Sequence, residues 1–268
     1  MKHETIFLRG DDRDITLTTY IADERRLRRD AMLVIPGGGY SNVCSDREGE
    51  PIAFAFLARG FNCFVLRYSI GEKARFPRPL CDASLAMQHI RENAEAYNID
   101  PRRVFAVGFS AGGHLCGALG SLWNAPEVRA ALPDMPEGIN RPTGTVLCYP
   151  VLIASMPTHA GTFDRLSGGD PAIKERYSID HCISSDTAPA FFMHTADDAC
   201  VPVRNSLLTM AAMSDKGISF DGRIYPHGPH GLALADFQTA LGCAEQDVPE
   251  AAHWVEDAVA WTRTVPSL

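Results

Sequence analysis

Short apolar runs alternate with longer amphipathic stretches along this chain, the pattern of a mostly parallel sheet covered by helices on both faces. Residues 6–8 and 15–21 read as opening strands, the second alternating between apolar and polar positions. Residues 32–35 form a buried-strand run that stops at Pro36-Gly37-Gly38-Gly39, and a helical stretch at 52–58 precedes the next strand at 61–66. Ala83, Met87, Ile90, Ala94 and Tyr97 recur at helical spacing, so 80–97 is expected as an amphipathic helix, ended by Asp100-Pro101. Further strands are expected at 104–107, 146–149, 190–194 and 220–225, with helices at 112–122 and 203–213. Ala251, Trp254, Val255, Ala258 and Val259 mark a closing amphipathic helix. Residues 151–187 show no clear period and are rich in Ser, Thr, Asp, Gly and Pro, which predicts an irregular insertion near a functional site. No repeat or linker interrupts this order, so 1–268 is read as a single α/β domain.

Composition narrows the function classes. Hydrophobic residues make up 46% of the 268, enough for a core on both faces of a sheet. The net charge of −8 argues against nucleic acid or an anionic membrane as partner, since both need a basic face. The start, Met1-Lys2-His3-Glu4-Thr5, leads into a strand-like segment, and no apolar run approaches membrane-spanning length, so a cytoplasmic protein is expected. The eight cysteines show no CxxC spacing and are read as free thiols, Cys63, Cys116 and Cys148 lying inside apolar segments. The nine histidines form no H-x-x-x-H or Cys/His cluster, so neither a metal nor a cofactor is expected.

The sharpest chemical signal is Gly108-Phe109-Ser110-Ala111-Gly112, a G-x-S-x-G between a buried strand and a helix. Such a turn strains the serine backbone, its glycines let strand and helix approach closely, and the helix N-terminus beside the serine favours developing negative charge. A serine needs a base within hydrogen-bond reach to act as a nucleophile. Downstream, the strand at 190–194 runs into Asp197-Asp198, and the strand at 220–225 is followed by His227-Gly228-Pro229-His230-Gly231. Ser110, an aspartate and a histidine therefore fall on three loops at the carboxyl ends of strands, where open α/β sheets place ligands. Asp197 competes with Asp198 and His227 with His230; Asp198 and His230 are preferred, the latter because Gly231 suits a tight exposed turn. Pro36-Gly37-Gly38-Gly39-Tyr40 follows the third strand as an oxyanion loop would, with donors expected from Gly38, Gly39 and Ala111. No phosphate-loop pattern follows those glycines. His114 is expected to pack under the turn that carries Ser110.

Together these residues resemble a known group. Pro36 to Tyr40, Ser45-Asp46-Arg47-Glu48-Gly49-Glu50-Pro51, Phe64 to Ser69, Gly108 to His114, His194 to Pro202 and Gly228 to Gly231 are similar to bacterial α/β-hydrolases of the carbohydrate acetylesterase type. These are relatives of acetyl xylan esterases and, more distantly, of hormone-sensitive-lipase esterases; the matches run from about residue 31 to the end. The resemblance implies an α/β-hydrolase fold: an eight-stranded, mostly parallel sheet with helices on both faces and no large cap domain. A pattern H-x-x-x-D-x-x-V-P, here His194 to Pro202, selects Asp198 as the acid, and the histidine falls at His230. One departure is Pro36, which stands where such loops carry a histidine. The implied reaction is deacylation of a small-molecule ester, an acetylated sugar among the candidates, with Tyr40 as the expected aromatic platform and Asp46, Arg47 and Glu48 supplying polar groups at the entrance. Arg47 and Glu48 have a plainer reading as caps of the next helix. A glycosidase would need two carboxylates flanking a sugar bond, and the Ser-His-Asp set argues against that. An amidase of the same fold and a catalytically silent binding protein are the competing readings, and a homo-oligomer is compatible with the sequence.

Overall fold

The computed structural model describes residues 1–156 and 159–268. Among them, eight strands make one sheet: β1 Thr5–Phe7, β2 Thr16–Tyr20, β3 Arg29–Ile35, β4 Phe61–Arg67, β5 Ile99–Phe109, β6 Thr145–Cys148, β7 Ala190–Thr195 and β8 Phe220–Tyr225. Their spatial order is β1-β2-β4-β3-β5-β6-β7-β8. β1, β2 and β4 pair antiparallel, and every pairing from β4 across to β8 is parallel. This is the mostly parallel α/β-hydrolase sheet that the resemblance implies. The helices are α1 Ser45–Glu48, α2 Glu50–Leu57, α3 Arg78–Glu92, α4 Ser110–Leu122, α5 Pro126–Ala131, α6 Ala160–Ser167, α7 Pro171–Arg176, α8 Ile179–Cys182, α9 Arg204–Asp215, α10 Phe237–Ala240 and α11 Trp254–Thr262. No described helix is long and apolar enough to cross a membrane.

The central strands read as unbroken apolar runs because both of their faces are covered. In β3, Ala31, Leu33 and Ile35 point into a core shared with Leu80, Met87 and Ile90 of α3 and Leu115 and Leu119 of α4. Met32 and Val34 point the other way, to Ile52 and Phe56 of α2 and Trp254 and Ala258 of α11. Parallel strands carry all their carboxyl ends to one edge, so β5, β7 and β8 deliver Ser110, Asp198 and His230 there.

Two expectations need correction. The helix expected over 80–97 stops at Glu92, and Asn98 takes a left-handed turn (φ 52°) that sends Ile99 into β5, with Asp100 and Pro101 already inside the strand. Ala94 and Tyr97 keep the helical spacing because they remain buried beneath the turn. The insertion expected to be irregular at 151–187 instead holds α6, α7 and α8. Each is too short for a period to show in sequence, and helices of this length depend on packing and caps. Phe163, Leu166 and Ile179 are buried, Asp170 caps α7 by accepting the Ala172 N–H, and Gly168 ends α6 at φ 70°. Pro157 and Thr158, part of that insertion, lie outside the described residues.

Candidate active site

β5 ends at Phe109 and α4 begins at Ser110, whose φ of 53° is a left-handed backbone for a residue with a side chain. Such strain costs about 1–3 kcal/mol and persists only where the surroundings impose it. Two glycines do so here. A Cβ on Gly108 would lie 2.3 Å from the Gly112 carbonyl oxygen, and one on Gly112 would lie 2.2 Å from the Ile35 oxygen and 2.3 Å from that of Pro36. Strand, turn and helix are packed closer than any side chain allows, and the serine is lifted to the sheet edge.

Ser110 Oγ lies 2.8 Å from His230 Nε2, and His230 Nδ1 lies 2.7 Å from Asp198 Oδ2. A ring whose Nδ1–H donates to a carboxylate keeps its Nε2 lone pair for the serine hydroxyl proton. The other Asp198 oxygen accepts the N–H groups of Cys200 at 2.9 Å and Val201 at 2.8 Å, while His194 Nε2 stands 3.5 Å from Oδ2. Burial alone would raise the Asp198 carboxyl, but the hydrogen bonds from His194 and His230, the His230 charge and the Val201 N–H outweigh it and hold the group well below the usual carboxylate range. The rejected candidates have found each other: Asp197 Oδ2 lies 3.0 Å from His227 Nδ1, with 52% and 83% of their side chains exposed. Asp197 Oδ1 also accepts the Gly228 N–H, so this outer pair ties down the turn that carries His230.

The loop after β3 lies directly on this turn, since a Cβ on Gly37 would stand 3.0 Å from Ser110 Cβ. Gly38, Gly39 and Tyr40 all have positive φ, at 125°, 62° and 56°. The Gly37 carbonyl accepts from Cys44 N–H, and the Gly38 carbonyl from the N–H groups of Ser41 and Asn42. In a trans peptide each N–H points opposite the carbonyl before it. The N–H groups of Gly38 and Gly39 therefore face away from the 41–44 turn. Ala111 is in the first turn of α4, where N–H groups have no partner inside the helix. Tyr68 secures the loop from behind by donating its hydroxyl to the Pro36 oxygen at 2.7 Å.

Tyr40 corrects the sequence reading. It is fully buried, 0% exposed, and cannot serve as a platform for a ligand. Its positive φ turns the side chain inward, where the hydroxyl lies 3.1 Å from Nδ1 of buried His114. His114 Nε2 faces the Tyr177 carbonyl oxygen at 2.9 Å, which requires a proton there and leaves Nδ1 to accept from Tyr40. Burial pushes the His114 pKa down to about 4, so the pair is neutral.

Arg47 neither caps a helix nor lines an entrance: its guanidinium donates to the carbonyls of Gly231 and Thr239 and to the Gln246 side chain. Glu48 is likewise neither an entrance group nor a helix cap, and His159 and Arg165 were not legible in sequence. Buried Glu48 accepts the Gly37 N–H at 2.7 Å and the Tyr149 hydroxyl at 2.8 Å. His159 reaches the glycine loop after β3, since a Cβ on Gly39 would lie 2.9 Å from its Cε1. Arg165 donates to the Gly39 carbonyl at 3.3 Å. The Ser45-to-Pro51 motif did contain Glu48, but nothing local marks it as buried. Among the described residues, no three His, Cys, Asp or Glu side chains gather as a metal site would need.

The BD-FAE family model matches residues 17–140. The crystal structure of an acetyl ester-xyloside bifunctional hydrolase from Caldicellulosiruptor lactoaceticus superposes with a TM-score of 0.83 and 32% identity, covering 98% of this chain and 96% of that one. A carboxylesterase from Lactobacillus plantarum superposes at 0.87 with 28% identity, covering 98% of each chain. An endo-1,4-beta-xylanase B of Butyrivibrio fibrisolvens is 40% identical over 215 residues, 78% of this chain and 33% of that protein. An acetylxylan esterase of Xylanibacter ruminicola is 29% identical over 233 residues, 84% of this chain and 45% of that protein. The chain thus spans 33% and 45% of these two curated relatives.

Proposed function

Since the chain belongs to the α/β-hydrolase family, among its acetylesterase-like members, we propose that it is a serine carboxylic-ester hydrolase removing a short acyl group from a polar acceptor such as a sugar. The observation that carries this is the unbroken run of hydrogen bonds from Ser110 through His230 to Asp198, 2.8 and 2.7 Å long. Ser110 Oγ attacks the ester carbonyl carbon as its proton passes to His230 Nε2, and Asp198 stays ionised to hold the imidazolium. The oxyanion accepts from the N–H groups of Gly38, Gly39 and Ala111, each such donor being worth about 10²–10³ in rate. Collapse expels the alcohol with the proton from His230. Water, deprotonated by the same nitrogen, then releases the acid and frees Ser110.

Two features favour a small acyl group and a polar acceptor. His159 crowds the oxyanion loop at Gly39. A cleft of about 400 Å³, lined by Gly71, Glu72, Arg75, Gly161, Asp164 and Arg165, opens beside that loop, to which it is tied by Arg165 at Gly39 and by the Gly71 N–H at the Tyr40 carbonyl. A buried methylene contributes about 0.8 kcal/mol, so longer acyl chains gain rate only where an apolar pocket takes them. We therefore expect kcat/KM to be greatest for p-nitrophenyl acetate and to fall through butyrate, octanoate and palmitate, with acetylated xylo-oligosaccharides turned over faster than formyl anilides. A maximum at octanoate or beyond would overturn the acetylesterase reading, and preference for the anilides would make the chain an amidase. The xylanase name of one relative is not carried over, the chain matching only 33% of that protein.

A further inference from the structure

Glu48 is a carboxylate with no role in the mechanism above, yet it is buried at the centre of the site. An uncompensated buried charge costs several kcal/mol, so its partners matter. One oxygen accepts the Gly37 N–H at 2.7 Å, and the other accepts the Tyr149 hydroxyl at 2.8 Å. Tyr149 stands just past the end of β6 with a positive φ of 36°, and its hydroxyl oxygen accepts the Ala233 N–H at 2.9 Å. That phenol thus has one donor behind it and its single proton given to Glu48. The Tyr149 ring meets the His230 ring edge-on, with centroids 5.1 Å apart. A continuous chain of hydrogen bonds therefore runs from the oxyanion loop through Glu48 and Tyr149 to the segment just after His230. The preceding residue, Arg47, binds the Gly231 carbonyl. Four-residue α1 holds both loops at once.

We propose that Glu48 and Tyr149 are positioning residues for ester hydrolysis, fixing the oxyanion loop relative to His230 and setting a second negative charge behind the imidazolium that forms when Ser110 attacks. This rests on the serine-esterase reading above. Both Glu48 oxygens face donors, as suits an ionised carboxylate. Burial raises the Glu48 carboxyl above the usual carboxylate range, and the Gly37 and Tyr149 hydrogen bonds and the charges of His230 and Arg47 offset only part of that rise. The groups around His230 are Asp198 at Nδ1, Tyr149 with Glu48 behind it, and Arg47 at the neighbouring carbonyl.

The test is Glu48→Gln and Tyr149→Phe, assayed with p-nitrophenyl acetate. Glu48→Gln keeps the shape but removes the charge and sets its amide against one of the two donors. Tyr149→Phe cuts the link to Ala233 and removes one of the two donors to Glu48, while the carboxyl group itself stays in place. Both should lower kcat by about ten- to a hundredfold with KM nearly unchanged, since groups are misplaced rather than lost. Glu48→Gln alone should move the acid limb of the kcat/KM profile downward by roughly half a pH unit, because removing a negative charge makes His230 harder to protonate. A folded Tyr149→Phe with wild-type kcat, or a Glu48→Gln whose acid limb stays in place, overturns the proposal; the first outcome decides the matter even if Glu48→Gln does not fold. Reaction of the wild type with an organophosphonate separates the two claims. Failure to label wild-type Ser110 sinks the esterase reading and this proposal with it, while labelled wild type and fully active variants sink this proposal alone.

Discussion

Asp197 and Asp198 differ by one position and by everything around them. Asp198 is buried and accepts from two backbone N–H groups and His230, whereas Asp197 lies in an exposed pair with His227. An exposed pair is screened by solvent and contributes little, while a carboxylate that sets the tautomer of a catalytic base can be worth about 10⁴ in rate. Asp198→Asn should therefore lower kcat by at least about a thousandfold, and Asp197→Asn should stay within about threefold of wild type. Steady-state kinetics on p-nitrophenyl acetate rank the two, and the reverse order would reassign the acid. Neither aspartate's surroundings can be read locally, because the choice is made by which one meets a histidine 32 residues away. The sequence narrows the candidate acid to two neighbours with Asp198 preferred, and the H-x-x-x-D-x-x-V-P resemblance points to the same residue.

At the scale of elements, α4 does more than present Ser110. Its inner face carries His114, one turn on, held neutral between Tyr40 and the Tyr177 carbonyl. Its folded pKa of about 4 lies below the ordinary 6.5. The folded state then binds fewer protons than the unfolded one between those values, so stability must fall as pH drops through that window. His114→Gln should abolish this contribution: between pH 7 and pH 4.5 the wild type should lose about 2 kcal/mol more than the variant. Urea denaturation at the two pH values measures it, and parallel losses in both proteins would show that His114 titrates normally. β3 to β7, α4 and α9 were legible because each shows an apolar run or a helical spacing of buried residues. α1, α6, α7, α8 and α10 were not, being too short for any period and made helical by contacts with the rest of the chain.

Across the whole molecule, the parallel sheet turns distance in sequence into proximity at one edge. Ser110, Asp198 and His230 could be anticipated because each sits in a local motif after a strand. The clamp of Gly37, Glu48, Tyr149 and Ala233 could not, since it joins four separated segments and its charged member lies in a polar run that looks exposed. Tyr40 misled for the same reason: an aromatic after a glycine loop reads as accessible until its positive φ turns it into the core. Ester hydrolysis by this route requires Ser110 to form a covalent acyl-enzyme, and that is open to direct measurement. Incubation with a p-nitrophenyl organophosphonate should release one equivalent of p-nitrophenol and add one phosphonyl group, located by peptide mass spectrometry on Ser110. Ser110→Ala should take up none, and His230→Ala should react slower by several orders of magnitude. Adduct formation elsewhere, or ester hydrolysis undiminished in Ser110→Ala, would contradict it.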